Sequence, residues 1–200
     1  MSEAVKWESV HSSREMDAVS WWQEAHTVWD DFIRDLHLVP EAPIVDIGAG
    51  SSMMVDTLLS LGFCNLTAVD ISIAALHRTR QRVGAGVDIV VADVRSFVSD
   101  VPVALWHDRA TFHFLVDPAD QGRYRANLQA SLAPDGHAII ATFAPDGPET
   151  CSGFPVQRYA PDDLADVLHL RLERAERRIH TTPWGAQQPF TLVRLGWPAD

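Results

Sequence analysis

Stretches with strand-like and helix-like spacing of apolar residues alternate along most of the chain. Residues 44–47 form a β-branched run typical of a buried strand, and residues 54–59 continue at helical spacing towards Gly62. Further strands are predicted at 66–70, 87–91, 103–106 and 137–143, and further helices at 73–83, 118–132 and 161–168. The last apolar stretches, 170–180 and 188–195, predict an antiparallel hairpin. The pattern predicts an α/β fold with seven strands, helices on both faces of the sheet and an antiparallel last strand.

The first 40 residues precede this alternation, and we expect them to form a helical cover. Residues 1–15 are polar and are expected to be frayed, whereas residues 17–38 carry an apolar stripe at helical spacing. No linker divides the chain, so a single domain over residues 1–200 is predicted, with a helical lid at 1–40 and a Rossmann-like core at 41–200.

A tight glycine turn follows the first predicted strand. Gly48 and Gly50 lead into a helix that Ser51 or Ser52 can cap. A strand, a glycine turn and a helix N-terminus together form a cradle for a nucleotide-like ligand. Asp46 lies within the strand just before the turn. A carboxylate there repels a pyrophosphate but suits a cationic or amino-bearing ligand.

Two further positions narrow the choice of ligand. Met53 stands where the dinucleotide fingerprint needs a third glycine, which disfavours a nicotinamide cofactor. Asp70 ends the second strand about twenty residues further on, at the position that grips ribose hydroxyls. Adenosine that carries an amino acid and a sulfonium in place of a pyrophosphate is S-adenosylmethionine. The sequence therefore predicts S-adenosylmethionine as the cofactor.

The segments 45–50 and 68–72 resemble class I S-adenosylmethionine-dependent methyltransferases. Ser51 and Ser52 replace the usual third glycine, a form that is also similar to small-molecule and lysine methyltransferases. The resemblance implies that an acid after the third strand, here Asp93, binds the adenine amino group, although capping the next turn is the alternative. It implies a seven-stranded Rossmann-like methyltransferase sheet. The predicted cofactor-binding residues are Trp22, Asp46, Gly48, Gly50, Ser51, Ser52, Asp70, Ile71, Asp93, Val94 and His107. For Trp22, burying its helix against the sheet is the alternative.

Polar residues concentrate after the fourth strand, at the edge of the sheet nearest the methyl group. Residues 106–115 resemble a bacterial family of small methyltransferases that reads Trp-His-Asp-Arg-Ala and Phe-His-Phe-Leu at these places. The predicted catalytic residues are His107, Asp108 and His113, of which His113 would orient or deprotonate the acceptor. Arg109 pairing with Asp108 and a core role for His113 are the alternatives. The predicted acceptor-binding residues are Trp21, Arg109, Phe112, Cys151 and Trp184. For Trp184, anchoring the last hairpin is the alternative, and no metal site is predicted.

Composition restricts the partners. The formal net charge of −11 disfavours a phosphate backbone, so no nucleic-acid partner is expected. No apolar run reaches membrane-spanning length, the first residues lack the form of a signal peptide, and the two distant cysteines fit a reduced cytoplasm. We therefore expect a cytoplasmic monomer or homodimer that methylates a small molecule, for example a thiol or other sulfur nucleophile. A protein lysine N-methyltransferase, a non-catalytic S-adenosylmethionine-binding protein and a nicotinamide oxidoreductase are the alternatives.

Overall fold

A seven-stranded sheet forms the centre of the protein, as the alternating pattern predicts. The computed structural model describes residues 3–13, 18–23 and 27–199. The strands lie in the order β3-β2-β1-β4-β5-β9-β8, with β1 to β5 parallel and β9 antiparallel to both β5 and β8. The strands are β1 Ile44–Ile47, β2 Leu66–Asp70, β3 Asp88–Val91, β4 Val103–Arg109, β5 Leu132–Phe143, β8 Arg171–Thr181 and β9 Gln187–Gly196; β6 Thr150–Cys151 and β7 Phe154–Pro155 form a separate small hairpin.

Helices cover both faces of this sheet. They are α1 Glu3–Ser13, α2 Thr27–Arg34, α3 Met54–Ser60, α4 Ile73–Val83, α5 Pro118–Ser131 and α6 Pro161–Leu168. One apolar cluster joins Tyr124 of α5 and Leu164 of α6 to the sheet, and a second joins Phe32 of α2, Met54 of α3 and Leu76 of α4 to it. Because apolar residues line both faces, each face is buried under its own layer of helices. The predicted fold class is confirmed.

The N-terminal region differs from the prediction. The expectation of frayed residues is wrong for residues 3–13, because Glu3–Ser13 is the helix α1, and residues 1, 2, 14 and 15 lie outside the described residues. The predicted helix at 17–38 is shorter in the structure, where α2 spans Thr27–Arg34 and residues 18–23 are irregular. His180 of β8 holds that irregular segment, because its ring nitrogens lie 2.5 Å from the Ser20 carbonyl oxygen and 3.1 Å from Gln23 Nε2. The parts of the predicted helix at residues 17 and 24–26 lie outside the described residues.

Candidate active site

A cavity opens at the carboxyl ends of the parallel strands, where ligands of open α/β sheets bind. The space inside it and at its open mouth together amounts to about 1100 Å³. The ends of β1, β2, β3 and β4 line it, and α1 contributes to its lining from outside the sheet. The site therefore lies where the sequence predicts it.

The glycine turn after β1 forms part of this cavity, through Gly48, Gly50 and Ser52. Gly48 and Gly50 have φ angles of +61° and +54°, in the left-handed region that favours glycine. A Cβ on Gly48 would lie 1.7 Å from Thr111 Oγ1, so this glycine makes room for the residue that follows β4. The helix α3 begins at Met54 after Met53, and Ser52 Oγ accepts a hydrogen bond from the Met54 amide at 3.3 Å, so Ser52 is the one of the two predicted serines that satisfies an amide at the start of the helix.

Asp70 at the end of β2 braces the same turn. Its Oδ2 accepts a hydrogen bond from the Gly50 amide at 2.8 Å, and its Oδ1 accepts one from the Ser72 amide at 2.8 Å. Burial raises the pKa of Asp70 to about 6, although these two amides favour the charged form. Each carboxylate oxygen has a second lone pair, so Asp70 can still accept hydrogen bonds from a ligand's hydroxyls. The next residue, Ile71, also lines the cavity.

Asp46 and His107 form a buried pair inside the cavity. They stand side by side because β1 and β4 are parallel neighbours in which Asp46 is in register with His107. His107 Nδ1 lies 2.7 Å from Asp46 Oδ1, and both side chains are buried. A carboxylate can only accept, so Nδ1 carries the hydrogen and Nε2 is the basic nitrogen of the neutral ring. Asp46 Oδ2 is buried and has no hydrogen-bond partner among the described residues.

Asp93 follows β3 and lies in the cavity wall with Val94 and Arg95. Its carboxylate accepts hydrogen bonds from the Arg95 side chain, which hold the pKa of Asp93 below its usual value. Arg95 also pairs with Asp120 of α5 at 3.0 Å and with Glu3 of α1 at 2.8 Å. The predicted adenine-binding acid is therefore at the cavity, but it is already engaged with an arginine that ties α1 to the sheet.

The helix α1 lies across the edge of the sheet and supplies residues that the sequence analysis missed. Glu8 accepts hydrogen bonds from Ser72 Oγ at 2.7 Å and from the Ala74 amide at 3.2 Å, which places its carboxylate at the N-terminus of α4. Trp7 and His11, four residues apart on one side of α1, line the cavity. The spacing of Trp7 and His11 is the sequence signal that could have indicated a helix with two cavity-lining residues. The segment is otherwise too polar for an apolar pattern to predict that helix.

The wall on the side of β4 and β6 combines aromatic rings, a thiol and a buried cation. Trp21, Arg109, Phe114 and Cys151 all line the cavity there. Arg109 Nη1 donates a hydrogen bond to the Trp21 carbonyl at 3.0 Å. Burial lowers the pKa of Arg109 to about 10, so its guanidinium is charged at neutral pH. Burial raises the pKa of the Cys151 thiol.

Two predicted site residues, Asp108 for catalysis and Phe112 for acceptor binding, do not face the cavity. The sequence predicts that β4 ends at Trp106, but the strand continues to Arg109, so the side chains of Asp108 and His107 point in opposite directions. Asp108 is fully buried and accepts hydrogen bonds from the Thr111 amide at 2.9 Å and from Tyr124 Oη at 2.7 Å. Phe112 is also fully buried, with its ring centroid 4.7 Å from that of Tyr124. Both residues pack in the core under α5 and do not line the cavity.

Four other predicted residues also lie outside the cavity lining. His113 is fully buried between Phe114 and Phe143, and burial lowers its pKa to about 3. Trp22 and Ser51 share a separate small space with Met53 on the outer side of the glycine turn. Trp184 is 62% exposed in the turn between β8 and β9. A core position for His113 agrees with the alternative that the sequence left open.

Comparisons with known proteins agree with this geometry. The methyltransferase domain family matches residues 44–136. The EEF1A lysine methyltransferase 2 of Danio rerio is 30% identical over 141 residues, which cover 64% of this chain and 54% of that protein. The chain thus spans about half the length of this relative.

Solved structures share the whole fold at low sequence identity. An S-adenosylmethionine-dependent methyltransferase of Anabaena variabilis has a TM-score of 0.75 at 15% identity, over 99% of this chain and 96% of that one. The 1,6-didemethyltoxoflavin N1-methyltransferase of Burkholderia thailandensis has a TM-score of 0.66 at 22% identity, over 99% and 92% of the two chains. Its structure contains 1,6-didemethyltoxoflavin and S-adenosylhomocysteine.

Residues 44–136 therefore match a methyltransferase domain, and the strand order and the glycine turn between two acidic strands are similar to those of the class I S-adenosylmethionine-dependent methyltransferases. S-adenosylmethionine is the cofactor of this class. The cavity fits S-adenosylmethionine, because the buried Asp46 Oδ2 has no hydrogen-bond partner among the described residues and can accept a hydrogen bond from an ammonium group.

Among the described helices, none is long and apolar enough to span a bilayer. Across the same residues, no cluster of His, Cys, Asp or Glu is arranged to bind a metal.

Proposed function

We propose that this protein transfers the methyl group of S-adenosylmethionine to a small molecule that binds between His107 and the cover formed by α1 and residues 18–23. The observation that carries this proposal is the cover itself. Trp7 and Trp21 line the cavity from that side, while Glu8 fixes α1 to the start of α4. A cavity that is covered in this way admits a small acceptor more readily than the surface of a folded protein.

The cofactor positions follow from the polar groups at the ends of β1 and β2. We assign Asp46 Oδ2 to the ammonium group of the cofactor and Asp70 to its ribose hydroxyls. The apolar side chains of Ile71 and Val94 flank the space next to Asp93, where the adenine ring would lie. When bound, S-adenosylmethionine supplies a methyl group already activated by a sulfonium, so the protein has to orient the acceptor, exclude water and remove a proton.

We assign proton removal to the Asp46–His107 pair. Asp46 holds the Nδ1 hydrogen of His107, which leaves Nε2 to accept a proton from the acceptor. Arg109 is the nearest fixed cation on the acceptor side and stabilises an acceptor that becomes anionic when it loses this proton. A thiol meets that description, because deprotonation gives a thiolate.

Substitution of His107 tests this assignment. We expect His107→Gln to lower kcat by roughly 100-fold or more, as is typical for loss of a general base, while the affinity for S-adenosylhomocysteine changes little. The matched control is His77→Gln, because His77 is exposed on α4 away from the cavity. Unchanged turnover in His107→Gln, at a pH where the acceptor is still protonated, would rule out His107 as the base.

A protein lysine methyltransferase is the second candidate, supported by the similarity to EEF1A lysine methyltransferase 2. Incubating the protein with methyl-labelled cofactor and a cell lysate separates the two functions. Label in small molecules supports our proposal, whereas label in a protein band supports the second candidate. Cofactor binding without transfer to either fraction would identify a non-catalytic S-adenosylmethionine-binding protein.

A further inference from the structure

We propose that the acceptor is a small aromatic or heteroaromatic molecule whose ring binds against Trp7, Trp21 and Phe114, a set that we call the aromatic corner. The inference rests on the proposed function, because it concerns the acceptor of the same site. It names the chemical class of the acceptor, which neither the fold nor the cofactor specifies.

The aromatic corner consists of rings that meet at steep angles beside the cavity. The Trp7 centroid lies 4.9 Å from that of Phe114 with an interplanar angle of 73°, and 6.1 Å from that of Trp21 with an angle of 72°. Phe154 of β7 stacks on Trp7 at 5.0 Å and 19°, so it supports the Trp7 ring from behind. The rings come from α1, from residues 18–23 and from the turn after β4, and they line one continuous wall.

Steeply angled ring walls distinguish an aromatic guest from a saturated one. A flat ring that stacks on one wall presents its edge to the other, and both arrangements are favourable for aromatic quadrupoles. A saturated ring of the same size gains only from the burial of its apolar area. The aromatic corner therefore favours planarity in addition to hydrophobicity.

The charges around the aromatic corner limit the acceptor further. Aromatic walls also attract organic cations, but the charged guanidinium of Arg109 lines the same cavity. Carboxylates line the cavity too, but Asp46, Asp70 and Asp93 lie at the ends of β1 to β3, whereas Arg109 donates a hydrogen bond to the Trp21 carbonyl at 3.0 Å and so lies beside the aromatic corner. A cationic ligand against these rings would be repelled by that guanidinium. We therefore expect a neutral or anionic aromatic acceptor, and a cationic one to bind poorly.

The test measures binding to the protein saturated with S-adenosylhomocysteine by calorimetry. The matched probes are benzyl mercaptan with cyclohexylmethanethiol, and benzyl alcohol with cyclohexylmethanol, since each pair keeps the polar group on a methylene and changes the planarity of the ring. We expect the aromatic member to bind roughly tenfold more tightly than its saturated partner, from two ring contacts of ordinary strength. Benzylamine, which is cationic at neutral pH, should bind more weakly than benzyl alcohol. A cavity that is only apolar would give the opposite order within each pair, because the cyclohexyl ring has more apolar surface.

Variants of Trp7 give the internal control. Trp7→Leu should remove most of the preference for the aromatic probes, whereas Trp7→Phe should keep it. The matched control Trp184→Leu removes an exposed tryptophan far from the cavity and should leave the preference unchanged. The affinity for S-adenosylhomocysteine, measured alongside, separates an effect on the acceptor from a loosened α1.

The outcomes distinguish this inference from the proposed function. Failure of S-adenosylhomocysteine to bind would refute the proposed function itself. Normal cofactor binding with equal or tighter binding of the saturated probes, or with no binding of any probe, would overturn the aromatic acceptor alone. An aromatic preference that survives in Trp7→Leu would overturn the role of the aromatic corner.

Discussion

Substituting Gly48 tests whether the glycine turn, which we propose contacts the cofactor, depends on a contact with the segment after β4. Gly48→Ala places a Cβ at a φ of +61° and 1.7 Å from Thr111 Oγ1. Thr111 must then move, which breaks the 3.3 Å hydrogen bond that its Oγ1 donates to the Ile47 carbonyl. The matched control is Gly185→Ala, since Gly185 has a φ of +85° but has no heavy atom within 4 Å of the added Cβ.

Both substitutions place an alanine in a left-handed backbone conformation, but only Gly48→Ala also creates a steric overlap. A left-handed alanine costs about 1–2 kcal/mol at either position. At Gly48 the overpacking adds about 1–3 kcal/mol and the lost hydrogen bond about 1 kcal/mol. We therefore expect the free energy of unfolding to fall by about 3–6 kcal/mol in Gly48→Ala and by about 1–2 kcal/mol in Gly185→Ala.

A double-mutant cycle with Thr111→Ala isolates the steric part. Without Oγ1 and Cγ2, the contacts of the added Cβ at 1.7 Å and 3.1 Å are gone, and the Thr111 Cβ at 2.9 Å has to shift by only a few tenths of an ångström, so the most severe overlap disappears. The double variant Gly48→Ala/Thr111→Ala should be more stable than the sum of the single changes by about 1–3 kcal/mol. Urea unfolding gives these free energies, and calorimetry with S-adenosylhomocysteine should show weakened binding in Gly48→Ala that the second change partly restores. Equal destabilisation of Gly48→Ala and Gly185→Ala, or strict additivity in the cycle, would refute the steric argument.

Three further outcomes are expected. Burial raises the pKa of Asp70 to about 6, and the protonated carboxyl accepts fewer hydrogen bonds from a ligand. The affinity for S-adenosylhomocysteine should therefore fall roughly tenfold per pH unit below pH 6 and stay constant above it. Calorimetry from pH 5 to 8 measures this dependence, which should be absent in Asp70→Asn. Glu8→Gln weakens the hold of α1 on α4 and should speed cofactor dissociation roughly two- to fivefold in stopped-flow measurements, with exposed Glu149→Gln as the unchanged control. Asp108→Asn should lower the free energy of unfolding by about 2–4 kcal/mol because it removes buried hydrogen bonds. Tyr124→Phe should lower it by about 2–4 kcal/mol, because it removes the donor to Asp108 and leaves the buried Trp106 Nε1–H without its acceptor. An inactive Asp108→Asn as stable as the wild type would mean that Asp108 is catalytic.

The sheet could be predicted because its information is local. The β-branched run of β1 and the glycines after it lie within a few residues of each other, and the same holds for β2 with Asp70 and Ser72. The helices α3 and α4, which follow β1 and β2, show apolar residues at helical spacing, and Gly62 and Gly84 mark their ends. Such short-range signals fix the element types, and the alternation of elements then restricts the topology to a few arrangements.

The sequence could not predict in the same way that His107 faces the cavity while Asp108 lies in the core. Polar residues at the end of β4 look like the start of a loop, yet each is buried by a partner from another element. His107 meets Asp46, 61 residues earlier, and Asp108 meets Tyr124, 16 residues later. The register between β1 and β4 decides which of these two residues stands beside Asp46 at the cavity, and a single sequence contains no signal for that register.

The helix α1, which forms part of the cover over the cavity, was even less predictable from the local sequence. Helix α1 has little apolar pattern of its own, because its order comes from Glu8 on α4, Glu3 on Arg95 and Trp7 against Phe154. These partners all follow strands of the sheet or belong to the hairpin beside it, so the helix is specified by the site that it covers. A prediction based on local pattern therefore reads the segment as frayed. For this reason the structure, and not the sequence, identifies Trp7 and His11 of α1 as residues that line the cavity.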